Sequence, residues 1–150
     1  MVLYITICTI IIALTRAFSY WGIYVLKDNP IVLIKNVLNL TYVENTGAAF
    51  GIFNNHTNIL SIIGIIFFVI ITYIVASKKL KGTSFIVALS FLAGGGISNV
   101  CDRIKFGFVV DYIDFTLINY PVFNLADICV VLSCIFIFIK ILFTKESDEK

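Results

Sequence analysis

Charge is scarce in this sequence. Of its 150 residues only 13% are charged, whereas 60% are hydrophobic, and the mean hydropathy is +1.03. A soluble domain carries about 25% charged residues, so the composition argues against an ordinary soluble protein and predicts an integral membrane protein. The net charge is only +2 and the lysines lie in loops, so no nucleic-acid surface is predicted.

Residues that bind metals or form disulfides are also few. The single histidine, His56, has no partner at metal-binding spacing, and the cysteines Cys8, Cys101, Cys129 and Cys134 lie in or beside apolar runs without a CxxC motif. This spacing argues against a metal site or a disulfide framework. We expect buried free thiols, a loop histidine, and no metal or cofactor.

Long apolar runs are abundant instead. They cover Val2 to Leu26, Ile59 to Ser77, Phe85 to Val100 and Phe123 to Phe143, and each approaches or exceeds the roughly 20 residues that cross a bilayer. The fold class predicted is an all-α integral membrane protein with four transmembrane helices. The first run lacks the basic start and cleavage site of a signal peptide, so we expect a retained span, in which Arg16 snorkels or faces other spans.

Residues 27–58 differ from the spans around them. Short β-rich runs there are bounded by Pro, Asn and Gly, which predicts a small β-rich ledge on the membrane surface between the first and second spans. A structureless loop is the alternative, although loops of this length are uncommon. The chain 1–150 is thus expected to be a single domain with this ledge and a charged tail at 144–150.

The basic residues predict the orientation of the spans. Lys78, Lys79 and Lys81 crowd the short turn between the second and third spans, and such clusters favour the cytoplasmic side. With four spans, both termini are then cytoplasmic. The ledge and the segment 103–122 lie on the outer face.

Polar side chains concentrate between residues 94 and 127, where ionisable groups beside lipid are costly and usually functional. Asn99 and Arg103 share one side of a helix, because residues four apart are neighbours. The set comprises Asn99, Asp102, Arg103, Asp111, Asp114, Asn124 and Asp127.

Structural interpretations compete with functional ones in this region. Asn124 with Asp127 fits a helix N-cap followed by an acidic first turn. Asp102 with Arg103 fits an interfacial ion pair, which we favour over catalysis by Asp102. The glycines at 94–96 fit close helix packing.

Four motifs in this order identify a resemblance. NTGAAFG occupies 45–51, SNVCDR occupies 98–103, GFVVDYIDF occupies 107–115 and FNLAD occupies 123–127. Together they resemble the lipoprotein signal peptidases, also called signal peptidase II. The resemblance implies an aspartic endopeptidase of the bacterial plasma membrane. Such an enzyme removes signal peptides from prolipoproteins by cutting before a cysteine that carries diacylglycerol.

The resemblance also implies roles for individual residues. Asp111 and Asp127 would be the catalytic pair, and Asn45, Asn99, Arg103 and Asn124 would bind substrate or orient the pair. The implied partners are diacylglyceryl-modified prolipoproteins and membrane lipid, with the protein a monomer and its active site near the outer face. A pair of close carboxylates that shares one proton can supply the base and the acid that peptide hydrolysis needs.

The sequence departs from the family pattern at three positions. Thr15 and Ser19 stand where relatives carry Asp and Lys in the first span, and Ile128 follows Asp127 where a small hydroxyl residue is usual. These changes leave open how the first span is tied to the others. A small ion- or proton-coupled transporter subunit is the alternative function, but it favours ionisable groups near the middle of the spans. The regions around Ile66 and Ile135 are plainly apolar.

Overall fold

The computed structural model describes residues 1–48, 52–78, 82–118 and 120–147, with side chains described as far as residue 143. Within these residues, four helices are long and apolar enough to cross a membrane. Lys79 and Lys81, on which the predicted orientation partly depends, lie outside the described residues.

The four helices match the four predicted spans. Helix α1 covers Val2–Trp21 and continues as a π-helical turn over Gly22–Leu26, and α2 covers Thr57–Ala76. Helix α3 covers Thr83–Phe106 and α4 covers Leu125–Ser147. The third span is therefore longer than its apolar core predicted, and Asn99 and Arg103 do lie on one continuous helix. The fourth begins at Leu125 rather than Phe123.

Helix α3 is the centre of the bundle, since it packs against α1, α2 and α4. Its small residues permit close approach: a Cβ on Gly94 would lie 3.1 Å from Ile11 Cβ, and one on Gly95 would lie 2.6 Å from the Ala126 carbonyl oxygen. The predicted packing role is thus confirmed for these two glycines. It is wrong for Gly96, where a Cβ would meet no described atom within 4 Å.

A three-stranded antiparallel sheet lies at one end of the bundle. Strand β1 covers Ile31–Ile34, β2 covers Leu38–Asn45 and β3 covers Val109–Phe115, in the order β1-β2-β3. The predicted ledge is confirmed, but its confinement to residues 27–58 is wrong, because β3 comes from the segment between α3 and α4. Gly107 ends α3 at φ 84°, a conformation that glycine adopts without strain, and turns the chain into β3.

A buried polar cluster ties α1 to α3 and β3. Arg16 forms an ion pair with Asp102, and Ser19 Oγ donates to Asp102 Oδ2 at 3.2 Å. The Val110 N–H lies 3.4 Å from the same oxygen, while Thr15 Oγ1 bonds Ser98 Oγ at 2.8 Å. Arg16 therefore faces the other spans. The first span, with Thr15 and Ser19 in place of the family's Asp and Lys, is thus tied to α3 by hydrogen bonds and an ion pair.

The predicted ion pair between Asp102 and Arg103 is wrong. Consecutive residues of a helix do not face each other, so the two side chains leave α3 in different directions. Asp102 is 0% exposed and turns towards α1. Its partner is Arg16.

The cysteines and the histidine differ in how exposed they are. All four cysteines are free, and Cys8 and Cys129 are buried as expected, whereas Cys101 is half-buried and Cys134 is exposed on α4. The expectation of buried thiols is thus wrong for Cys134. His56 is exposed immediately before α2, which confirms the loop histidine.

Candidate active site

A cavity of about 540 Å³ opens where the sheet meets the ends of α3 and α4. Five of the six predicted site residues line it, namely Asn45, Asn99, Arg103, Asp111 and Asp127. The sixth, Asn124, is 3% exposed and bonds to members of this set. Strands β2 and β3, helix α3 and the start of α4 thus bring all six residues together.

Strand β3 holds Asp111 at the cavity with only 1% of the residue exposed. Asn45 Nδ2 donates to Asp111 Oδ2 at 2.8 Å, and Asn124 Nδ2 donates to Oδ1 at 2.7 Å. Asn45 reaches Asp111 because it lies at the end of β2 opposite Val109, two residues before Asp111 on the same face of the sheet. Each carboxylate oxygen therefore has one neutral amide donor.

Asp127 lies in the first turn of α4. Asn99 Nδ2 donates to its Oδ1 at 2.7 Å, and the Asn124 N–H donates to its Oδ2 at 3.0 Å. The Asp127 N–H in turn donates to Asn124 Oδ1 at 3.1 Å. This reciprocal arrangement is a helix cap, so the structural interpretation of Asn124 and Asp127 is correct.

The cap is also part of the cluster. Asn124 uses its backbone N–H and its Oδ1 for Asp127 and its Nδ2 for Asp111. One buried asparagine therefore bonds to both carboxylates and fixes one relative to the other. The same hydrogen bonds of Asn124 therefore cap α4 and hold Asp111 and Asp127 in position.

Burial and charge change the acidity of this site. Burial first, and then the negative charge of Asp127, raise the pKa of Asp111 from 3.8 to about 7. The hydrogen bonds from Asn45 and Asn124 and the charge of Arg103 oppose this rise in pKa. Near neutral pH, Asp111 therefore holds a proton for a substantial fraction of the time.

Arg103 forms part of the cavity wall on the same face of α3 as Asn99. Its Nη2 donates to the Gly47 carbonyl at 2.7 Å, and its Nη1 donates to the Asn99 carbonyl at 3.4 Å. The guanidinium thus ties the chain after β2 to the end of α3. Since this chain segment follows Asn45, the tie also limits how far Asn45 can move from Asp111.

Tyr112 supports the site from outside the cavity, a role that the sequence did not reveal. Its hydroxyl accepts a hydrogen bond from the Leu125 N–H at 3.1 Å, which anchors the start of α4 to β3. Burial is the main cause that raises the pKa of Tyr112 to about 12, so the hydroxyl stays protonated. The available signal was the alternation of β3: the neighbour of Asp111 must face the opposite side of the sheet, into the fold.

The wall of the cavity nearest α4 is apolar. It includes Pro121, Val122, Val130 and Val131, the last two on the same helix as Asp127. A ligand in this cavity would therefore contact aliphatic side chains beside the carboxylates and amides. Among the described residues, no group of three or more His, Cys, Asp or Glu side chains is placed to hold a metal ion.

Comparison with known proteins decides the family. The profile described as Signal peptidase (SPase) II matches residues 6–143. The chain belongs to the signal peptidase II family. Among its relatives is the lipoprotein signal peptidase of Clostridioides difficile (strain 630), which is 38% identical over 148 residues that cover 98% of this chain and 99% of the relative.

Other relatives and solved structures agree. The lipoprotein signal peptidase of Clostridium acetobutylicum is 35% identical over 142 residues, covering 92% of each chain. A bacterial membrane enzyme solved by the in meso method at 2.3 Å resolution superposes with a TM-score of 0.90 at 28% identity, over 100% of this chain and 93% of that one. Another such enzyme, solved at 1.9 Å, gives a TM-score of 0.84 at 28% identity, over 95% of this chain and 94% of that one.

The family fixes the broad activity. Members of the signal peptidase II family are proteases, and the close full-length relatives support cleavage of signal peptides from prolipoproteins by this multi-pass membrane protein. Nothing in these similarities supports the alternative of a transporter subunit.

Proposed function

We propose that this protein is an aspartic endopeptidase that removes signal peptides from diacylglyceryl-modified prolipoproteins, with Asp111 and Asp127 as its catalytic pair. The observation that carries the proposal is the single buried Asn124 bonded to both carboxylates at the edge of the cavity. Cleavage is expected immediately before the lipidated cysteine, as the family resemblance implies. The whole chain acts as one domain.

The chemistry follows from one shared proton. The ionised carboxylate takes a proton from a water molecule while the protonated carboxyl polarises the scissile carbonyl, so the new oxygen–carbon bond forms between water and that carbonyl carbon. The proton then passes to the leaving amide nitrogen as the carbon–nitrogen bond breaks. The raised pKa of Asp111, about 7, suits this exchange because Asp111 can both hold and release a proton near neutral pH.

The surrounding amides are suited to holding such a pair. Asn45, Asn99 and Asn124 donate neutral hydrogen bonds to the carboxylates, so they fix the oxygen positions without the full charge that would drive both groups to ionise. Arg103 adds a positive charge farther away and keeps the Gly47 segment against α3. We assign these four residues to orientation of the pair and binding of the substrate.

The shape of the site matches the proposed substrate. A prolipoprotein brings an apolar signal sequence and acyl chains together with a polar peptide bond, and the cavity has an apolar wall at α4 beside its carboxylates. Since one chain supplies all six site residues, we propose that the protein acts as a monomer in contact with membrane lipid.

The proposed location is the bacterial plasma membrane. Lysines in the turn between α2 and α3 favour the cytoplasm for that turn, which places both termini inside and the cavity near the outer face. Cysteine substitution at Gly82 and at Lys105, followed by labelling of intact cells with an impermeant reagent, tests this orientation. Labelling at residue 105 is expected, and preferential labelling at residue 82 would reverse it.

The activity is tested by conversion of a purified precursor. The parent protein is expected to shorten a diacylglyceryl-modified prolipoprotein on a gel and to leave the unmodified precursor intact, whereas Asp127→Asn should convert neither. Equal amounts of folded enzyme serve as the control. A parent protein that leaves the modified precursor unchanged would refute the proposal, and conversion by Asp127→Asn would refute the catalytic pair.

A further inference from the structure

The segment 120–123 returns to β3 and pairs with it at Phe123. The Phe123 N–H donates to the Ile113 carbonyl at 3.0 Å, and the Ile113 N–H donates to the Phe123 carbonyl at 2.8 Å. Phe123 thus exchanges both backbone hydrogen bonds with β3, as a residue in an antiparallel ladder does. This single antiparallel bridge lies on the side of β3 away from β2.

This pairing fixes where the neighbouring backbone groups point. In an antiparallel strand, residues that bond to one neighbour alternate with residues whose N–H and carbonyl point to the other side. Because Phe123 faces β3, Val122 and Asn124 face away from it. The Asn124 N–H indeed donates to Asp127 Oδ2 at 3.0 Å. The open edge of the segment therefore faces the carboxylate pair.

Val122 occupies this open edge without a protein partner. It lines the cavity, and among the described residues neither its N–H nor its carbonyl forms a hydrogen bond. Unpaired donors and acceptors along a strand edge are a template for another extended chain. Peptides that bind by adding a strand use such main-chain groups for affinity.

We infer that Val122 receives the substrate backbone, with the polypeptide beside the scissile bond bound in extended form as an antiparallel partner of the segment 120–123. This inference rests on the proposed function and adds the conformation of the substrate to it. An acyl chain cannot satisfy Val122, since it has neither donors nor acceptors, whereas an extended peptide supplies both at alternate residues. The Val122 edge and the Asn124 contact to Asp127 lie on one side of the segment, which sets the peptide alongside the pair.

The test replaces amides of the substrate one at a time. A synthetic diacylglyceryl-modified peptide is made with each amide that flanks the scissile bond converted to an ester, while the scissile bond stays an amide. An ester removes one N–H donor, so kcat/KM should fall about two- to ten-fold at the residue opposite Val122. It should change little at the adjacent residues, whose N–H groups point away. A uniform response along the peptide would overturn the inference.

A matched pair of variants tests the enzyme side. Val122→Pro removes the N–H donor, whereas Val122→Ala shortens the same side chain but keeps the donor. For the all-amide substrate, kcat/KM should therefore be about two- to ten-fold lower for the proline variant than for the alanine variant. Equal rates for the two variants would contradict a role for the Val122 N–H. Thermal unfolding in detergent shows whether the proline variant folds, and if it does not, the ester series decides alone. Failure of the parent to cleave the all-amide peptide would instead refute the proposed function.

Discussion

Two carboxylate clusters meet at β3, where Val110 contacts the first and Asp111 belongs to the second. They differ in partners and in access. Asp102 is 0% exposed, and it contacts the Arg16 guanidinium, the Ser19 hydroxyl and the Val110 N–H. Asp111 and Asp127 line a cavity and are held by the amides of asparagines. In the first cluster a guanidinium compensates the carboxylate charge, whereas in the second the hydrogen-bond donors to both carboxylates are neutral amides.

The difference shows that aspartates of one membrane protein can have very different surroundings. At Asp102 the full positive charge of Arg16 compensates the carboxylate. Neutral amide donors fix geometry while burial and a second carboxylate raise the pKa of Asp111 to about 7. Residue type alone therefore does not distinguish the two clusters, but the charge of the partner does.

The largest expected effect comes from removal of either carboxylate at the cavity. Asp111→Asn or Asp127→Asn keeps the side-chain size but removes the exchangeable proton, so cleavage should fall more than about ten-fold, a loss above ~1.4 kcal/mol of transition-state stabilisation. The double variant should be hardly worse than either single one, because both groups act in one step. The measurement is kcat/KM on a diacylglyceryl-modified precursor at equal amounts of folded enzyme. A single variant that keeps more than about a tenth of the parental rate would contradict the pair.

The second effect should appear in stability rather than chemistry. Arg16→Leu leaves the buried Asp102 charge unpaired, which typically costs about 3–5 kcal/mol, so the thermal unfolding temperature in detergent should fall clearly. Adding Asp102→Asn to Arg16→Leu removes that charge and should recover part of the loss. Arg16→Lys, which keeps the positive charge, is the control. If Arg16→Leu unfolds like the parent, the cluster around Asp102 does not hold α1 in place.

Arg103 should give a smaller, graded effect on cleavage. Arg103→Ala removes both donors to the Gly47 and Asn99 carbonyls and should weaken cleavage more than Arg103→Lys, which retains a charge and one donor. The comparison uses kcat/KM for both variants with the same precursor. Two variants that cleave like the parent would remove Arg103 from the orienting set.

Asp114 should give the smallest effect. It lies half-buried near the end of β3 and accepts a hydrogen bond from Asn39 Nδ2 at 3.3 Å. It is not among the residues that line the cavity. Asp114→Asn should therefore leave cleavage within about two-fold of the parent, since surface substitutions of this kind change energies little. A loss as large as that of Asp111→Asn would mean that the wrong aspartate of β3 has been assigned.

Much of the architecture was predictable because apolar length is a local property. The four spans and a sheet after the first span follow from runs of residues that the sequence displays directly. Strand β3 was not predicted, since its partner β2 lies more than sixty residues earlier in the chain and no local pattern marks that pairing. Its alternating VVDYIDF run resembles any return segment between spans.

The site was predictable in its members but not in its contacts. The motifs around Asp111 and Asp127 indicated the six residues by resemblance, yet the dual role of Asn124 needs the geometry of β3 against α4. The partner of Asp102 was misassigned to Arg103, although the rule that adjacent helical residues diverge could have excluded that pair. Arg16 required knowledge of how α1 packs on α3.

The proposed chemistry requires a proton shared between Asp111 and Asp127, and an infrared titration of the carboxyl groups tests this sharing directly. Because the pKa of Asp111 is raised to about 7, the parent should show a protonated-carboxyl band at mildly acidic pH that fades as the pH rises through about 7. Asp111→Asn should lack this band. In Asp127→Asn the neighbouring negative charge is gone, so the midpoint should move to lower pH. A band whose midpoint is the same in the parent and in Asp127→Asn, or no titrating band near neutral pH, would contradict the shared proton.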